Sequence, residues 1–290
     1  MSEYLDATRI RALAKSLDLK PSKGRGQNFL FDANTVRRIV GLAGISQGDT
    51  VLEIGPGLGS LTVGLLHTGA KVVAVEIEPA LARQLPTTMA NLAPDKVNNL
   101  TVIQEDALTM GPEDLNSSGA PNTPLPTMLV ANLPYNISVP VILHILATFP
   151  SISHGLVMVQ LEVADRLAAP PGSKVYGVPS AKLAWYASAS RVGTVPATVF
   201  WPTPNVESGL VRFVRHDPPP GADRQATFDV IDAAFSQRRK MLRSVLTSRY
   251  GPEAKVALEE AGISPEARGE TLSIDDFARL ANCLTPDAQE

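Results

Sequence analysis

The stretch Thr50-Val-Leu-Glu-Ile-Gly-Pro-Gly-Leu-Gly59 decides the fold, because a short apolar and β-branched run passes directly into a glycine-rich turn. Such a run is typical of a strand buried inside a parallel sheet. Residues 60–68 then predict a helix, and Lys71–Glu76 predicts a second buried strand. Glycines between a strand and a helix let the backbone approach a ligand closely, so the segment also predicts a site for a nucleotide or nucleoside.

The same alternation of strand and helix continues along the chain and defines the fold class. Further strands are predicted at residues 100–104, 127–131 and 155–161, and Ser138–Phe149 predicts a helix between the last two. We therefore expect an α/β fold with a doubly wound, parallel, Rossmann-like sheet that is covered by helices on both faces.

The last quarter of the chain predicts a separate helical part. Residues 217–221, Asp-Pro-Pro-Pro-Gly, have the composition of a linker, and the pattern beyond them is helical. We expect one α/β domain at residues 1–216, which opens with a basic extension at residues 1–45, and a smaller helical domain at residues 217–290.

Composition limits the class of protein. The chain has 290 residues, with 26 Lys and Arg against 29 Asp and Glu, and 44% of its residues are hydrophobic, so it can bury a sizeable core. Cys283 is the single cysteine and the four histidines are scattered, so neither a disulfide scaffold nor a metal site is predicted. The sequence has no pattern of a membrane span or a signal peptide. These features predict a cytoplasmic protein, and a monomer is the default expectation.

Polar residues at the ends of three predicted strands outline a cofactor site. Gly55 and Gly57 follow the first strand, Glu76 ends the second, and Asp106 follows the third. The Glu76 carboxylate can accept both hydroxyls of a ribose, and Asp106 can accept a hydrogen bond from an adenine amino group. Ile77 can supply an apolar face for the ring.

Each of these acids has a structural alternative, and the residues alone leave the cofactor open. Glu76 could be an exposed acid at a strand end, and Asp106 could be a turn residue or a helix cap. The dinucleotide fingerprint requires glycine at the position of Ser60, which weakens an NAD site without excluding it. A carboxylate at Glu76 suits S-adenosylmethionine equally well.

The segment Asn132-Leu-Pro-Tyr135, after the fourth predicted strand, carries residues suited to chemistry on a base. The amino group of adenine is a poor nucleophile, because its lone pair is delocalised into the ring, and it needs acceptors for its hydrogens. The Asn132 side-chain oxygen and the Pro134 carbonyl supply two acceptors, and Tyr135 offers a face on which an extruded base can stack. The alternative is a tight turn with Tyr135 half-buried in the core.

These motifs together resemble those of class I adenine-N6 methyltransferases. Three further stretches narrow the resemblance, namely Gly26–Leu30, Val199–Ser208 and Ala234–Arg243. With them, residues 20–285 resemble the family of bacterial small-subunit ribosomal RNA adenine N6,N6-dimethyltransferases.

The resemblance implies S-adenosylmethionine as cofactor and dimethylation of two adjacent adenosines in a hairpin loop near the 3′ end of small-subunit rRNA, during subunit assembly. It implies that Asn132, Pro134 and Tyr135 hold the target adenine and that Phe200 sandwiches the base against Tyr135. The positions that it implies for the cofactor, with neighbours that we assign to the same site, are Asn28, Leu30, Gly55, Gly57, Glu76, Ile77, Asp106, Ala107 and Asn132.

A basic run in the C-terminal part predicts an RNA-binding surface. Arg238, Arg239, Lys240 and Arg243 have no acid among them, and we expect them on an amphipathic helix that contacts phosphates. A second basic segment, Arg9–Arg25, has six cations against one acid. The alternative for both is a solvated surface.

Three other functions stay open. A related methyltransferase modifies large-subunit rRNA and shares the glycine turn, although the Arg-Arg-Lys-x-Leu-Arg segment favours the small-subunit enzyme. A non-enzymatic RNA-binding assembly factor of the same fold is disfavoured by the intact Asn132–Tyr135 loop. An NAD-dependent dehydrogenase is disfavoured by Ser60 and by the lack of a placed acid–base pair.

Overall fold

Two sheets form within residues 3–19, 28–116 and 123–284, which a computed structural model of the protein describes. The smaller sheet pairs β1 (Phe29–Leu30) with β8 (Phe200–Trp201) in antiparallel orientation. The strands of the main sheet are β2 (Thr50–Ile54), β3 (Lys71–Val75), β4 (Leu100–Ile103), β5 (Met128–Asn132), β6 (His154–Gln160), β7 (Ala187–Val195) and β9 (Ser208–Arg215).

The order of the main strands is β4-β3-β2-β5-β6-β9-β7. Neighbouring strands from β4 to β6 run parallel, whereas β9 runs antiparallel to β6. The sheet is therefore mixed, whereas the sequence predicted a wholly parallel sheet. The chain moves outward from β2 through β3 to β4 and then returns to the other side of β2 as β5. The strand order therefore reverses between β2 and β5, which is where open α/β sheets bind their ligands.

Helices connect these strands and form the C-terminal part. In the residues that the structure describes, no helix has the length and apolar character needed to cross a membrane. The α/β class and the smaller helical part are confirmed. The helices are α1 (Ala7–Ser16), α2 (Ala33–Ala43), α3 (Ser60–His67), α4 (Pro79–Leu92), α5 (Ser138–Thr148), α6 (Leu161–Leu167), α7 (Val178–Leu183), α8 (Arg224–Phe235), α9 (Leu242–Tyr250), α10 (Glu253–Glu260) and α11 (Ile274–Leu284).

The chain forms two compact units. Unit 1 comprises Met1–Ala164 and Arg191–Val214, and unit 2 comprises Asp165–Ser190 and Arg215–Glu290. The sequence placed residues 165–190 in the first domain, whereas the structure groups them with the C-terminal helices. The reason is packing, because Tyr176 and Ala181 belong to the same core as α8 to α11.

The core of unit 1 explains why its strands read as continuous apolar runs. All five residues of β2 are buried, as are four of five in β3, because helices pack on the sheet.

The predicted N-terminal motif and basic segment are described only in part, since Lys20, Lys23, Arg25 and Gly26 lie outside the described residues.

Candidate active site

A cavity of about 580 Å³ opens in unit 1 at the carboxyl ends of β2, β3 and β5. This position is the point at which the strand order reverses. Its wall includes the glycine turn after β2, the acid that follows β3 and the loop after β5. The predicted site residues that lie on this wall are Asn28, Leu30, Gly55, Gly57, Glu76, Ile77, Asn132, Pro134 and Tyr135.

The glycine turn contributes backbone to the cavity wall. Gly55, Gly57 and Gly59 have φ angles of +67°, +57° and +96°, which residues with a Cβ rarely adopt. Gly59 is also the N-cap of α3, so the free N–H groups of the first helical turn begin here. A Cβ on Gly57 would lie 3.1 Å from the ring of Phe29, which is itself on the wall. The turn therefore needs glycine both for its conformation and, at Gly57, for the space beside Phe29.

Glu76 joins the glycine turn to the end of β3. Its side chain is buried, and its Oε2 accepts a hydrogen bond from the Gly57 N–H at 3.1 Å while Oε1 accepts one from the Glu78 N–H at 3.0 Å. Burial raises the pKa of this carboxyl above its usual value, and the two N–H groups oppose the rise. Each oxygen keeps a second lone pair, so Glu76 can still accept ribose hydroxyls.

Ile77 forms an apolar rim next to Glu76. Its side chain is 64% exposed and lies on the cavity wall, where a bound aromatic ring would remove it from water. This placement fits the face that the sequence predicted for adenine.

Glu53 is a buried acid on the cavity wall that the sequence analysis did not assign. Its Oε2 has no hydrogen-bond partner among the described residues, and the hydroxyl of Ser60 on the same wall has none either. Burial raises the pKa of Glu53 to about 8; the nearby Thr62 hydroxyl opposes the rise and the charge of Glu76 adds to it. A cationic group of a ligand would satisfy this carboxyl. The sequence feature that could have identified Glu53 is an acid in the middle of an apolar strand.

The raised pKa of Glu53 predicts a pH-dependent stability. The unfolded chain ionises this carboxyl near the ordinary value of 4.5, whereas the folded protein keeps it protonated up to about pH 8. Between these values the folded state binds more protons, so the free energy of unfolding is expected to fall as the pH rises, by up to about 1.4 kcal/mol per pH unit.

Replacement of this carboxyl by an amide tests the prediction. Urea unfolding of Glu53→Gln between pH 5 and 8, without cofactor, is expected to show a flatter pH dependence than the wild type. The exposed Glu113→Gln serves as control and should keep the wild-type slope. A slope of Glu53→Gln equal to that of the wild type would exclude a buried, protonated carboxyl at this position.

The loop after β5 lies against the glycine turn. Asn132 ends β5, and its side-chain amide makes no hydrogen bond within the part of the chain that the structure describes. A Cβ placed on Gly55 would lie 3.6 Å from Pro134 Cδ, so the proline ring contacts the turn. The Pro134 carbonyl accepts a hydrogen bond from the Ile137 N–H at 3.3 Å and keeps a second lone pair. Two acceptors therefore border the same cavity as the glycine turn.

Tyr135 presents a half-buried ring to the cavity. Its hydroxyl lies 2.8 Å from Ser208 Oγ at the buried start of β9. Burial raises the pKa of the phenol, and the hydrogen bond with Ser208 opposes the rise. The phenol is therefore neutral at physiological pH and unsuited to act as a base, which leaves its ring as the feature that a ligand would use.

Asp106 and Ala107 do not lie on the cavity wall. Asp106 Oδ1 accepts a hydrogen bond from the Leu108 N–H at 2.9 Å, which is the turn arrangement that the sequence left open as an alternative. Ala107 is buried. Both residues follow β4, one strand further from the reversal point than β3. Their role in the cofactor site stays a prediction.

Phe200 does not lie on the cavity wall either, and its predicted role in sandwiching a base against Tyr135 stays a prediction. Its side chain is 1% exposed and packs in the same core cluster as Leu30. In the β1–β8 pair, Leu30 is opposite Phe200 and Phe29 is opposite Trp201. Since successive side chains of a strand point to opposite faces, Phe200 enters the core while Trp201 stacks on Phe29 with ring centroids 6.3 Å apart.

The predicted basic helix of unit 2 is two helices joined by a turn. Residues 236–241, which we call the basic turn, connect α8 to α9 and contain Arg238, Arg239 and Lys240, while Arg243 lies in the first turn of α9. The helix is interrupted because the N–H groups of residues 242 and 243 donate to the carbonyls of residues 267 and 265. The side chains of the basic turn therefore project from the segment between two helices, and not from one face of a single helix.

A Rossmann-like sheet, a glycine turn flanked by buried acids, and an Asn-Leu-Pro-Tyr loop against that turn define a class I methyltransferase that acts on an amino group. The family model of the ribosomal RNA adenine dimethylases matches residues 20–286. The chain therefore belongs to the ribosomal RNA adenine dimethylase family, which makes it a methyltransferase with S-adenosylmethionine as its cofactor.

Individual relatives agree with this family. The chain is 56% identical, over 298 residues, to the ribosomal RNA small subunit methyltransferase A of Cutibacterium acnes, with 98% of this chain and 96% of the relative covered. Among solved structures, the 23S rRNA methyltransferase ErmE is 26% identical with a TM-score of 0.62, and 89% of this chain and 99% of that one are covered. A dimethyladenosine transferase from Plasmodium falciparum shares the fold with a TM-score of 0.70, at 24% identity over 87% of this chain and 95% of that one.

Proposed function

We propose that this protein dimethylates N6 of two adjacent adenosines in a hairpin loop near the 3′ end of small-subunit rRNA, on the immature subunit. Identity of 56% to a small-subunit methyltransferase, against 26% to a 23S rRNA methyltransferase, supports the small subunit as the substrate. The proposal places the protein in the cytoplasm, where it acts as a monomer. The observation that carries the chemistry is the contact between the glycine turn and the Asn132–Tyr135 loop across one cavity.

The cavity fits S-adenosylmethionine by the chemistry of its wall. Glu76 offers free lone pairs for ribose hydroxyls, and Ile77 offers an apolar face for the adenine. Glu53 Oε2, which has no hydrogen-bond partner among the described residues, suits a positively charged group. The glycines of the glycine turn have no side chains that would keep the cofactor away from the backbone. When bound, S-adenosylmethionine supplies an electrophilic methyl group on sulfur.

Asn132 and Pro134 make the target amino group nucleophilic. Their two carbonyl oxygens accept its two hydrogens, which directs the nitrogen lone pair away from these acceptors and stabilises the positive charge that develops on nitrogen during attack. Asn132 is neutral, so it stabilises this charge without having to accept the proton, which passes to water. Tyr135 stacks on the extruded base and orients it.

Methylation of isolated ribosomal subunits tests this function. Unmodified small subunits, incubated with the protein and S-adenosylmethionine, are expected to gain two methyl groups on each of two neighbouring adenosines, detected by mass spectrometry of digested rRNA. Large subunits serve as the control and should gain none. Methylation of large subunits instead would favour the ErmE-like activity, and no methylation by a protein that binds the cofactor in calorimetry would favour a non-enzymatic assembly factor.

A further inference from the structure

Arg238 differs from the other basic residues around it. Its Nη2 donates to the Lys174 carbonyl at 2.6 Å, and its Nε lies 3.3 Å from Glu270 Oε2. Arg239, Lys240 and Arg243 are exposed and make no side-chain hydrogen bond or ion pair within the described part of unit 2. The sequence predicted one role for all four residues, whereas the structure separates Arg238 from the rest.

The guanidinium of Arg238 holds a loop that is fixed at two other points. We call residues 170–177 the lysine loop. The Gly172 N–H donates to the Glu270 carbonyl at 2.6 Å, and the hydroxyl of Tyr176, which is 1% exposed, donates to the Leu272 carbonyl at 2.9 Å. Between these anchors Lys174 and Val175 are exposed. Arg238 is the anchor that connects this part of the loop to the basic turn.

We propose that Arg238 is a positioning residue, which holds the lysine loop beside the basic turn so that Lys174, Arg239 and Lys240 form one surface for the phosphates of the rRNA. The inference rests on the proposed function for its partner. Charge supports a polyanion, because Glu270 is paired with Arg238 and the three cations have no acidic partner in the described residues. Arg238 acts through the loop, because its Nη2 group bonds the Lys174 carbonyl and its Nε group bonds Glu270.

The conservative variant Arg238→Lys separates positioning from direct contact. A lysine keeps the charge that a phosphate contact needs, but it lacks the planar guanidinium group that bonds the Lys174 carbonyl and the Glu270 carboxylate at the same time. In binding to a small-subunit rRNA fragment, Lys174→Gln and Arg239→Gln are each expected to reduce the slope of log K against log salt by about one unit. We expect Arg238→Lys to reduce it by the same amount, although no charge is lost.

Double variants and hydrogen exchange complete the test. Arg238→Lys combined with Lys174→Gln is expected to match Lys174→Gln alone, whereas Arg239→Gln combined with Lys174→Gln should be additive. Amide exchange across residues 172–176 should accelerate in Arg238→Lys and stay unchanged in Arg239→Gln, which is the matched control.

Three outcomes would overturn all or part of the inference, and they differ from failure of the proposed function. A wild-type salt slope together with wild-type exchange in Arg238→Lys would assign Arg238 no positioning role. Faster exchange with an unchanged salt slope would make Arg238 a purely structural anchor. If the wild-type protein methylates small subunits but Lys174→Gln leaves the slope unchanged, only the proposed surface is wrong.

Discussion

Asn132→Ala is expected to slow methyl transfer by about 10²–10³-fold, because it removes one of two preorganised acceptors for the target amino group. The amide of Asn132 makes no hydrogen bond within the described residues, so its truncation breaks no contact that holds the loop. The glycine turn, Glu53 and Glu76 remain in place. Affinity for S-adenosylmethionine is therefore expected to stay within a few-fold of the wild type.

Single-turnover methylation of small subunits and calorimetry with the cofactor measure the two quantities separately. Asn136→Ala is the matched control, since Asn136 lies in the same loop and on the same wall but is exposed and is not one of the proposed acceptors. We expect this control to keep most of its activity. Transfer by Asn132→Ala at the wild-type rate would falsify the proposed role of the amide.

Gly155→Ala is expected to destabilise unit 1 by about 3 kcal/mol, at the upper end of the usual cost of overpacking. Gly155 lies in β6, opposite Leu129 of β5 on one side and Phe213 of β9 on the other. A Cβ there would lie 2.3 Å from the Leu129 carbonyl oxygen and 2.4 Å from Cζ of the Phe213 ring. The oxygen belongs to the backbone, so it can move away only if the sheet distorts.

Gly41→Ala gives a control of opposite sign. Gly41 lies in α2, and a Cβ there would meet no atom within 4 Å. Alanine in a helix is favoured over glycine by about 0.5–1 kcal/mol, so this variant is expected to be slightly more stable than the wild type. Urea unfolding, followed by far-UV circular dichroism, measures both changes. Equal stability of Gly155→Ala and the wild type would contradict the packing argument.

The sequence predicted the individual strands well, but it predicted the antiparallel β9 and the helical part less well. Strands such as β2 and β3 are buried on both faces, and continuous apolar runs are a strong local signal. The break between α8 and α9 was missed, because it depends on carbonyls near residue 266 that accept the N–H groups of residues 242 and 243. No local sequence pattern predicts hydrogen bonds to partners so distant in the chain.

The candidate site shows the same division. Glu76 and Asn132 were predicted from their positions at strand ends, and both lie on the cavity wall. Phe200, which was predicted to face a base, is buried opposite Leu30, and its role at the target site stays a prediction. Arg238 was grouped with its basic neighbours but is bound to Lys174 and Glu270. In both cases a distant segment decides what surrounds the side chain.

The sequence alone established the α/β class, the glycine turn and the acceptor chemistry of the Asn132–Tyr135 loop after β5. These features follow from steric rules and from the functional groups of neighbouring residues. Only the tertiary structure decided that β2 and β5 are adjacent and bring the two loops to one cavity. It also decided that Glu53 is buried with a raised pKa and that Arg238 is an internal anchor. Burial and hydrogen bonding depend on which remote segments pack together, and that information is not local in the chain.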